Sequence, residues 1–206
     1  MKIITIGREF SSGGREVGKR LADELGIAYY DKEIVAEIAA QSELDEGYVE
    51  HILENGTPHE MFLTFGHTLS YASAFNAHPA ASVLPIQKQV IRQLATKDCI
   101  IVGRCADVIL ADLNPFRLFV YADEESKLKR CRARQTEEES LMSDKKLIKK
   151  MRRIDKGRRK MHDLFLGKPW GNREGYDLCV NTSGVEVKEV VPCIAEYINR
   201  WYKDKE

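Results

Sequence analysis

Lys2-Ile-Ile-Thr-Ile-Gly-Arg-Glu-Phe-Ser-Ser-Gly-Gly-Arg-Glu16 is the stretch on which the fold turns. Lys2 to Ile6 is a short apolar, β-branched run bounded by Gly7, and it reads as a buried strand. A glycine-containing turn, Arg8 to Gly14, follows it. From Arg15 to Leu25, Val17, Leu21 and Leu25 recur at helical spacing with charges on the other faces, and Gly26 is the expected stop. A second short strand, Ile27 to Tyr30, ends at Asp31. Strand, turn, helix, strand is the opening of a doubly wound α/β sheet.

A glycine loop between a strand and a helix turns successive backbone N–H groups into one concavity, and the helix dipole adds to its attraction for phosphate. Gly13 and Gly14 allow the tight turn and a close approach, while Ser11 and Ser12 offer hydroxyl donors. The pattern departs from G-x-x-x-x-G-K-[ST] in three ways. Gly7 to Gly13 is one residue too long, the Lys position is Gly14, and the Ser/Thr position is Arg15. Arg15 either supplies the missing positive charge or is a solvated arginine at an end of the helix that disfavours cations.

Outward from the loop, Asp31 to about Ala95 is helical, with interruptions expected at Gly47, Gly56-Thr57-Pro58, Gly66, Pro79 and Pro85. Cys99 to Val102 and Phe116 to Tyr121 are further buried strands, Glu124 to Lys160 is a long charged helical region, Tyr176 to Asn181 is a last strand, and Val185 to Tyr202 is the closing helix despite Pro192. Five short strands separated by helical segments predict one parallel sheet covered on both faces. Arg104, directly after the third strand and Gly103, falls at the carboxyl edge of the sheet, where open α/β sheets bind ligands; a surface salt bridge is its other reading. Asp31 also ends a strand and is read as a ligand or metal contact or as a helix N-cap, and Asp107 lies on the helical stretch Cys105 to Leu110.

The 206 residues carry 32 Lys+Arg against 32 Asp+Glu, so the net charge is zero, which argues against a generally basic nucleic-acid binder. The balance hides two unlike regions. Residues 31–60 have a net charge of −8, and residues 127–160 have one of +10 with no aromatic interleaving. The five cysteines show no C-x-x-C spacing and are odd in number, which suggests neither disulfides nor zinc and points to a reducing cytoplasm. The apolar run before Gly7 is too short for a signal peptide. Met61 to Gln87 lacks Asp, Glu, Lys and Arg, yet contains no unbroken apolar 18-mer, so no membrane partner is expected. Its Phe62, Phe65, Leu69, Tyr71 and Phe75 read as packing or a homodimer contact, with acceptor-base contact as the alternative. His51, His59 and His67 do not share a helix face and are not read as a zinc site.

Residues 4–22 from Ile-Thr-Ile-Gly-Arg to Arg-Leu-Ala, then Leu25-Gly26 and Tyr29-Tyr-Asp31, resemble the start of the cytidylate kinase-like family, relatives of bacterial cytidylate kinases with an altered phosphate loop. Ile100-Ile-Val-Gly-Arg104-Cys-Ala-Asp107 resembles the family's Gly-Arg segment, Ile154-Asp-Lys-Gly-Arg158-Arg159 its arginine-bearing lid, and Tyr176-Asp-Leu-Cys-Val-Asn-Thr182 its last strand. The resemblance spans nearly the whole chain and is weakest over 45–90. It implies one P-loop kinase-like domain of three layers over 1–206, with a helical acceptor-side insertion at about 31–95 and a basic lid at about 124–170. Ser11, Ser12, Gly13, Gly14, Arg15 and Glu16 would cradle the phosphates of ATP. Arg104, with Asp31, Asp107 and Lys156, would hold the acceptor, and Arg15, Arg130, Arg158 and Arg159 would steady the transferring charge. Mg²⁺ would accompany ATP; its protein ligand is unassigned, with Ser12, Glu9, Glu16 and Asp31 as candidates. The implied activity is phosphorylation of CMP or a similar small acceptor, nucleic acid being no partner. The alternatives are a nucleotide- or phosphate-binding sensor without transfer activity and a small-molecule kinase with a non-nucleotide acceptor.

Overall fold

The computed structural model describes residues 1–55, 79–165 and 168–203. Among them the chain runs β1 (Ile3–Arg8), α1 (Gly14–Leu25), β2 (Ala28–Tyr30), α2 (Lys32–Ser42), α3 (Glu46–Asn55), α4 (Pro79–Leu94), β3 (Cys99–Val102), α5 (Ala106–Ile109), β4 (Phe116–Tyr121), α6 (Glu124–Ala133), α7 (Glu137–Ser140), α8 (Asp144–Asp163), β5 (Leu178–Asn181) and α9 (Val187–Lys203). All five strands are parallel, in the order β2-β3-β1-β4-β5. The sheet expected from the sequence is present.

Strand alternation divides the core between the two faces of the sheet. Ile4, Ile6, Ile100, Val102, Leu118 and Val120 meet α1 and α9. Ile3, Cys99 and Ile101 point the other way, toward α2, α3, α4 and Met161 of α8. Helix α1 supplies Val17, Leu21 and Ala22 and ends where Gly26, at φ 65°, lets its N–H reach the carbonyl of Ala22. Gly18 gives α1 its close approach to the sheet, since a Cβ there would stand 2.9 Å from Val102.

The charged helical region from Glu124 to Lys160 is divided into three helices, because the chain is recapped within it. Asp123 accepts the Ser126 N–H to start α6, Thr136 and Glu139 form a reciprocal capping box for α7, and Ser143 takes the extended N-cap conformation before α8. Helices α6 and α8 enclose a small core of their own, Cys131, Leu147 and Met151. Two expected interruptions are corrected, for Gly47 and Pro85 both lie within helices. Gly47 falls in the first turn of α3, where N–H groups lack intrahelical partners in any case, and Pro85 sits on an exposed face inside α4. Pro79 stands at the start of α4, in keeping with the boundary expected there. His59, His67 and the aromatic residues of 61–75 lie outside the described residues.

The acid-rich and base-rich segments are neighbours, for α3 packs against α8. One ion pair joins them directly, where Arg158 bonds Glu54 at 3.2 Å.

Candidate functional site

The chain leaves β1 toward β2 and leaves β3 toward β4, in opposite directions across the sheet. The carboxyl ends of the adjacent strands β1 and β3 thus flank a topological switch point, where open α/β sheets take their ligands. The same dipeptide closes β1, as Gly7-Arg8, and directly follows β3, as Gly103-Arg104. Backbone strain gathers at the same place. Ser11, Gly13, Gly103, Arg104 and Cys105 all have φ between 56° and 86°, and such conformations persist only where the surroundings hold them. One such restraint is Gln87, fully buried, whose Nε2 donates to the Arg104 carbonyl at 2.5 Å.

Beneath these ends lies a cleft of about 490 Å³, its open mouth included, lined by Arg8, Arg104, Arg158, Glu54, Asp107 and His162 among others. The Arg104 side chain is only 4% exposed, with Glu50 as its ion-pair neighbour at 3.8 Å. Its Nε and Nη2 have no hydrogen-bond partner among the described residues. Burial pushes this guanidinium below the ordinary arginine range, although Glu54 and Asp31 draw it back up. A buried cation with open donors is costly to keep without an anion to receive them.

Arg8 is buried beside it, 3.3 Å from Asp31, with burial first and then Arg158 pushing its guanidinium down to about 9. Arg158 reaches in from α8, donating to the Arg8 carbonyl at 3.3 Å and to Glu54. Asp155, one turn earlier, accepts the Phe10 N–H at 2.6 Å, so α8 is docked on the glycine loop by two side chains. Burial pushes the Glu54 carboxyl up, but Arg158 and Arg104 outweigh it and hold the group below the usual range. Its ionised form therefore stabilises the fold above the ordinary carboxylate pKa, and this contribution fades as pH falls through the lowered value. Glu54→Gln is expected to cost the ligand-free protein about 1–3 kcal/mol at neutral pH, a difference that closes on acidification. Thermal melts across a pH series would show this; a gap independent of pH would rule out the ion-pair origin.

The structure places the residues singled out in the sequence in distinct surroundings. Arg104, Asp107 and Arg158 line the cleft. Gly13 and Gly14 form the turn into α1, with Gly13 at φ 86°. Ser11 stands in the loop at φ 58°. Ser12 faces inward. It is fully buried, its hydroxyl donates to the Glu9 carbonyl at 2.9 Å, and its own carbonyl accepts from Thr182 Oγ1 at 2.6 Å. Arg15 turns from the cleft, half-exposed, with Nε 2.7 Å from Asp31. Asp31 stands at the N-cap position of α2, but its side chain makes no cap bond and serves Arg8 and Arg15 instead. Glu16 lies on an outer face of α1, bonded to Arg20 and Arg134. Arg130 is beside the loop and bonds the carbonyl of Thr182 at 2.5 Å. Arg159 stacks over Trp170 at 5.8 Å, and Lys156 is exposed on α8.

Arg8, Glu54 and His162 join the site without having been singled out. For Arg8 a signal existed, because it repeats at β1 the Gly-Arg ending that marked Arg104. Glu54 and His162 carried none; His162 Nε2 lies 2.9 Å from Asp107, a contact made across 55 residues. Among the described residues no three His, Cys, Asp or Glu side chains gather as a metal-binding group. No described helix is long and apolar enough to cross a membrane, and all five cysteines are free.

The sequence signature of the cytidylate kinase-like family matches residues 3–184. A comparison with curated proteins finds no match. Among solved structures, the chain is similar to an uncharacterized protein from Eubacterium ventriosum ATCC 27560, at 28% identity and a TM-score of 0.67, covering 97% of this chain and 99% of that one. A shikimate kinase from Bacteroides thetaiotaomicron matches at 13% identity and a TM-score of 0.56, over 96% and 98% of the two chains. A deoxyadenosine kinase from M. mycoides matches at 13% and 0.51, over 97% and 100%. These last two likenesses place the fold among the P-loop kinases.

Proposed function

The chain belongs to the cytidylate kinase-like family, and from that premise we propose that it is an ATP-dependent phosphotransferase whose acceptor is CMP or a similar small phosphate-bearing molecule. The observation that carries the reading is the open, buried Arg104 guanidinium, flanked by Arg8 and Arg158 at the switch point of the sheet. A phosphate monoester supplies the oxygens those donors lack, and an arginine fork matches it in two directions. Arg104 with Arg158 would hold the acceptor phosphate. The Glu9–Gly14 loop would present the N–H groups of Ser11, Gly13 and Gly14 to the donor phosphates, braced from behind by Thr182 and flanked by Arg130. Helix α8 would keep water from the reacting groups while docked through Asp155 and Arg158.

The described residues do not make a ready Mg²⁺ ligand set. The hydroxyl position of the loop is Arg15, the Ser12 hydroxyl is engaged, and Asp31 is occupied by two arginines. Glu9 is held by Lys127 at 3.0 Å.

Coupled ADP release with ATP and Mg²⁺, run across CMP, dCMP, UMP, AMP and GMP, tests the reading. Turnover dependent on one of these acceptors is the expected result. Nucleotide binding by calorimetry with no acceptor-dependent turnover would overturn it in favour of a binding protein without transfer activity.

A further inference from the structure

Phosphate loops of P-loop kinases ordinarily draw a cation from a lysine that reaches the β/γ-phosphates, and here that position is Gly14. We propose that Arg8, the last residue of β1, supplies this cation and is a catalytic residue for the transferring phosphoryl group. The proposal rests on the phosphotransferase reading above and names the loop cation that it lacks.

Two glycines point to Arg8. A Cβ added to Gly14 would lie 2.6 Å from Arg8 Cβ, 3.1 Å from Cδ and 3.4 Å from Cγ. The aliphatic stem of Arg8 thus occupies the space through which a side chain at position 14 would leave the backbone. At the other end of the same side chain, a Cβ on Gly103 would collide with the Arg8 guanidinium. A lysine at 14 and an arginine at 8 exclude one another, so the absence of one follows from the presence of the other.

The position of the guanidinium suits the role. It is buried at the head of the glycine loop and lines the cleft with Arg104 and Arg158. Asp31 Oδ1, at 3.3 Å, orients it. It therefore stands between the loop that would carry the donor phosphates and the socket for the acceptor. In the transfer, an acceptor phosphate oxygen forms a bond to the γ-phosphorus as the bond to the β,γ-bridging oxygen breaks, and ADP leaves with that electron pair. A phosphate acceptor that attacks as the dianion has no proton to give up. Arg8 meets the charge on the peripheral oxygens of the group in flight, a role in which a single arginine has large effects. Arg15, whose Nε faces Asp31 from the exposed side, orients Asp31 and through it Arg8.

The test exploits the mutual exclusion. Arg8→Met keeps the stem between Gly14 and Gly103 and removes the charge; it should lower kcat about 100-fold or more with little change in acceptor KM. Gly14→Lys alone should be similarly impaired, because its side chain meets Arg8. The double variant Arg8→Gly/Gly14→Lys, which also removes the Cβ that a side chain at 14 would meet, should regain at least about tenfold over Arg8→Met, as the lysine takes the vacated path. Thermal melts confirm folding of each variant. A Gly14→Lys protein with wild-type turnover, or a folded double variant no better than Arg8→Met, would overturn the assignment. If the wild type shows no turnover with any acceptor, it is the function reading that fails. Arg8 is then read from ATP affinity by calorimetry, where at least a tenfold loss in Arg8→Met and recovery in the double variant support its role at the donor phosphates. Unchanged affinity refutes it.

Discussion

Arg104→Met is expected to raise the melting temperature of the ligand-free protein while removing acceptor-dependent turnover. The side chain is 4% exposed, and two of its donor atoms have no hydrogen-bond partner among the described residues. Holding a cation there costs desolvation that the 3.8 Å approach of Glu50 does not fully return. Methionine fills much of the same space without charge, so stability should rise by about 1–3 kcal/mol, or roughly 2–10 °C for a chain of this length. Turnover should fall about 100- to 1,000-fold, since a truncated charge contact of 2–5 kcal/mol is lost from the acceptor phosphate. Calorimetric melts and the coupled ADP assay read the two effects separately. A variant that is less stable than wild type yet retains turnover would show that Arg104 is an ordinary structural arginine.

Gly103→Val should act in the opposite sense on stability and the same sense on activity. Gly103 has φ 75°, and its backbone is pinned on both sides. Its N–H donates to the Ile6 carbonyl at 2.9 Å, and its carbonyl accepts from Ala106 at 3.2 Å. A β-branched residue is strained in that conformation, and here its Cβ would also meet the guanidinium of Arg8. The strain and displacement together should cost about 2–4 kcal/mol, lowering the melting temperature by roughly 5–15 °C. Because the atom that must move is the far end of Arg8, the variant should fold and lose turnover to about the same degree as Arg8→Met. Wild-type turnover in a folded Gly103→Val protein would mean that the position of the Arg8 guanidinium is immaterial.

The elements legible in the sequence were those whose signal is local. The strands at 99–102 and 116–121 emerged with the bounds read from the sequence: the first is buried and apolar throughout, and the second is largely so, with Arg117 near its start and an exposed Tyr121 at its end. The breaks in the 124–160 segment were carried by Asp123, Thr136 and Ser143, capping residues that the density of charge obscured. Pro85 was misread because a proline lowers helix propensity locally, while the packing of α4 on the core decides whether the helix continues. Arg104 stood out by following a strand and a glycine. The parallel case of Arg8 gained its meaning only once β1 and β3 lay side by side.

The sequence alone determined the alternation of strand and helix, the glycine loop after β1, the family and the segregation of charge, since each is written in neighbouring residues or in their spacing. Tertiary structure decided which of the many arginines face a ligand and which are paired away. Arg15 was drawn aside by Asp31, Arg130 by the Thr182 carbonyl and Arg159 by Trp170, while Arg104 was left buried with two donors that no described residue meets. Charge is a property of the residue, but its availability depends on burial and on partners up to 150 positions away, as with Arg158 and the Arg8 carbonyl. Only the folded chain brings those partners within a few ångströms, where electrostatic and hydrogen-bond energies are large enough to choose among them.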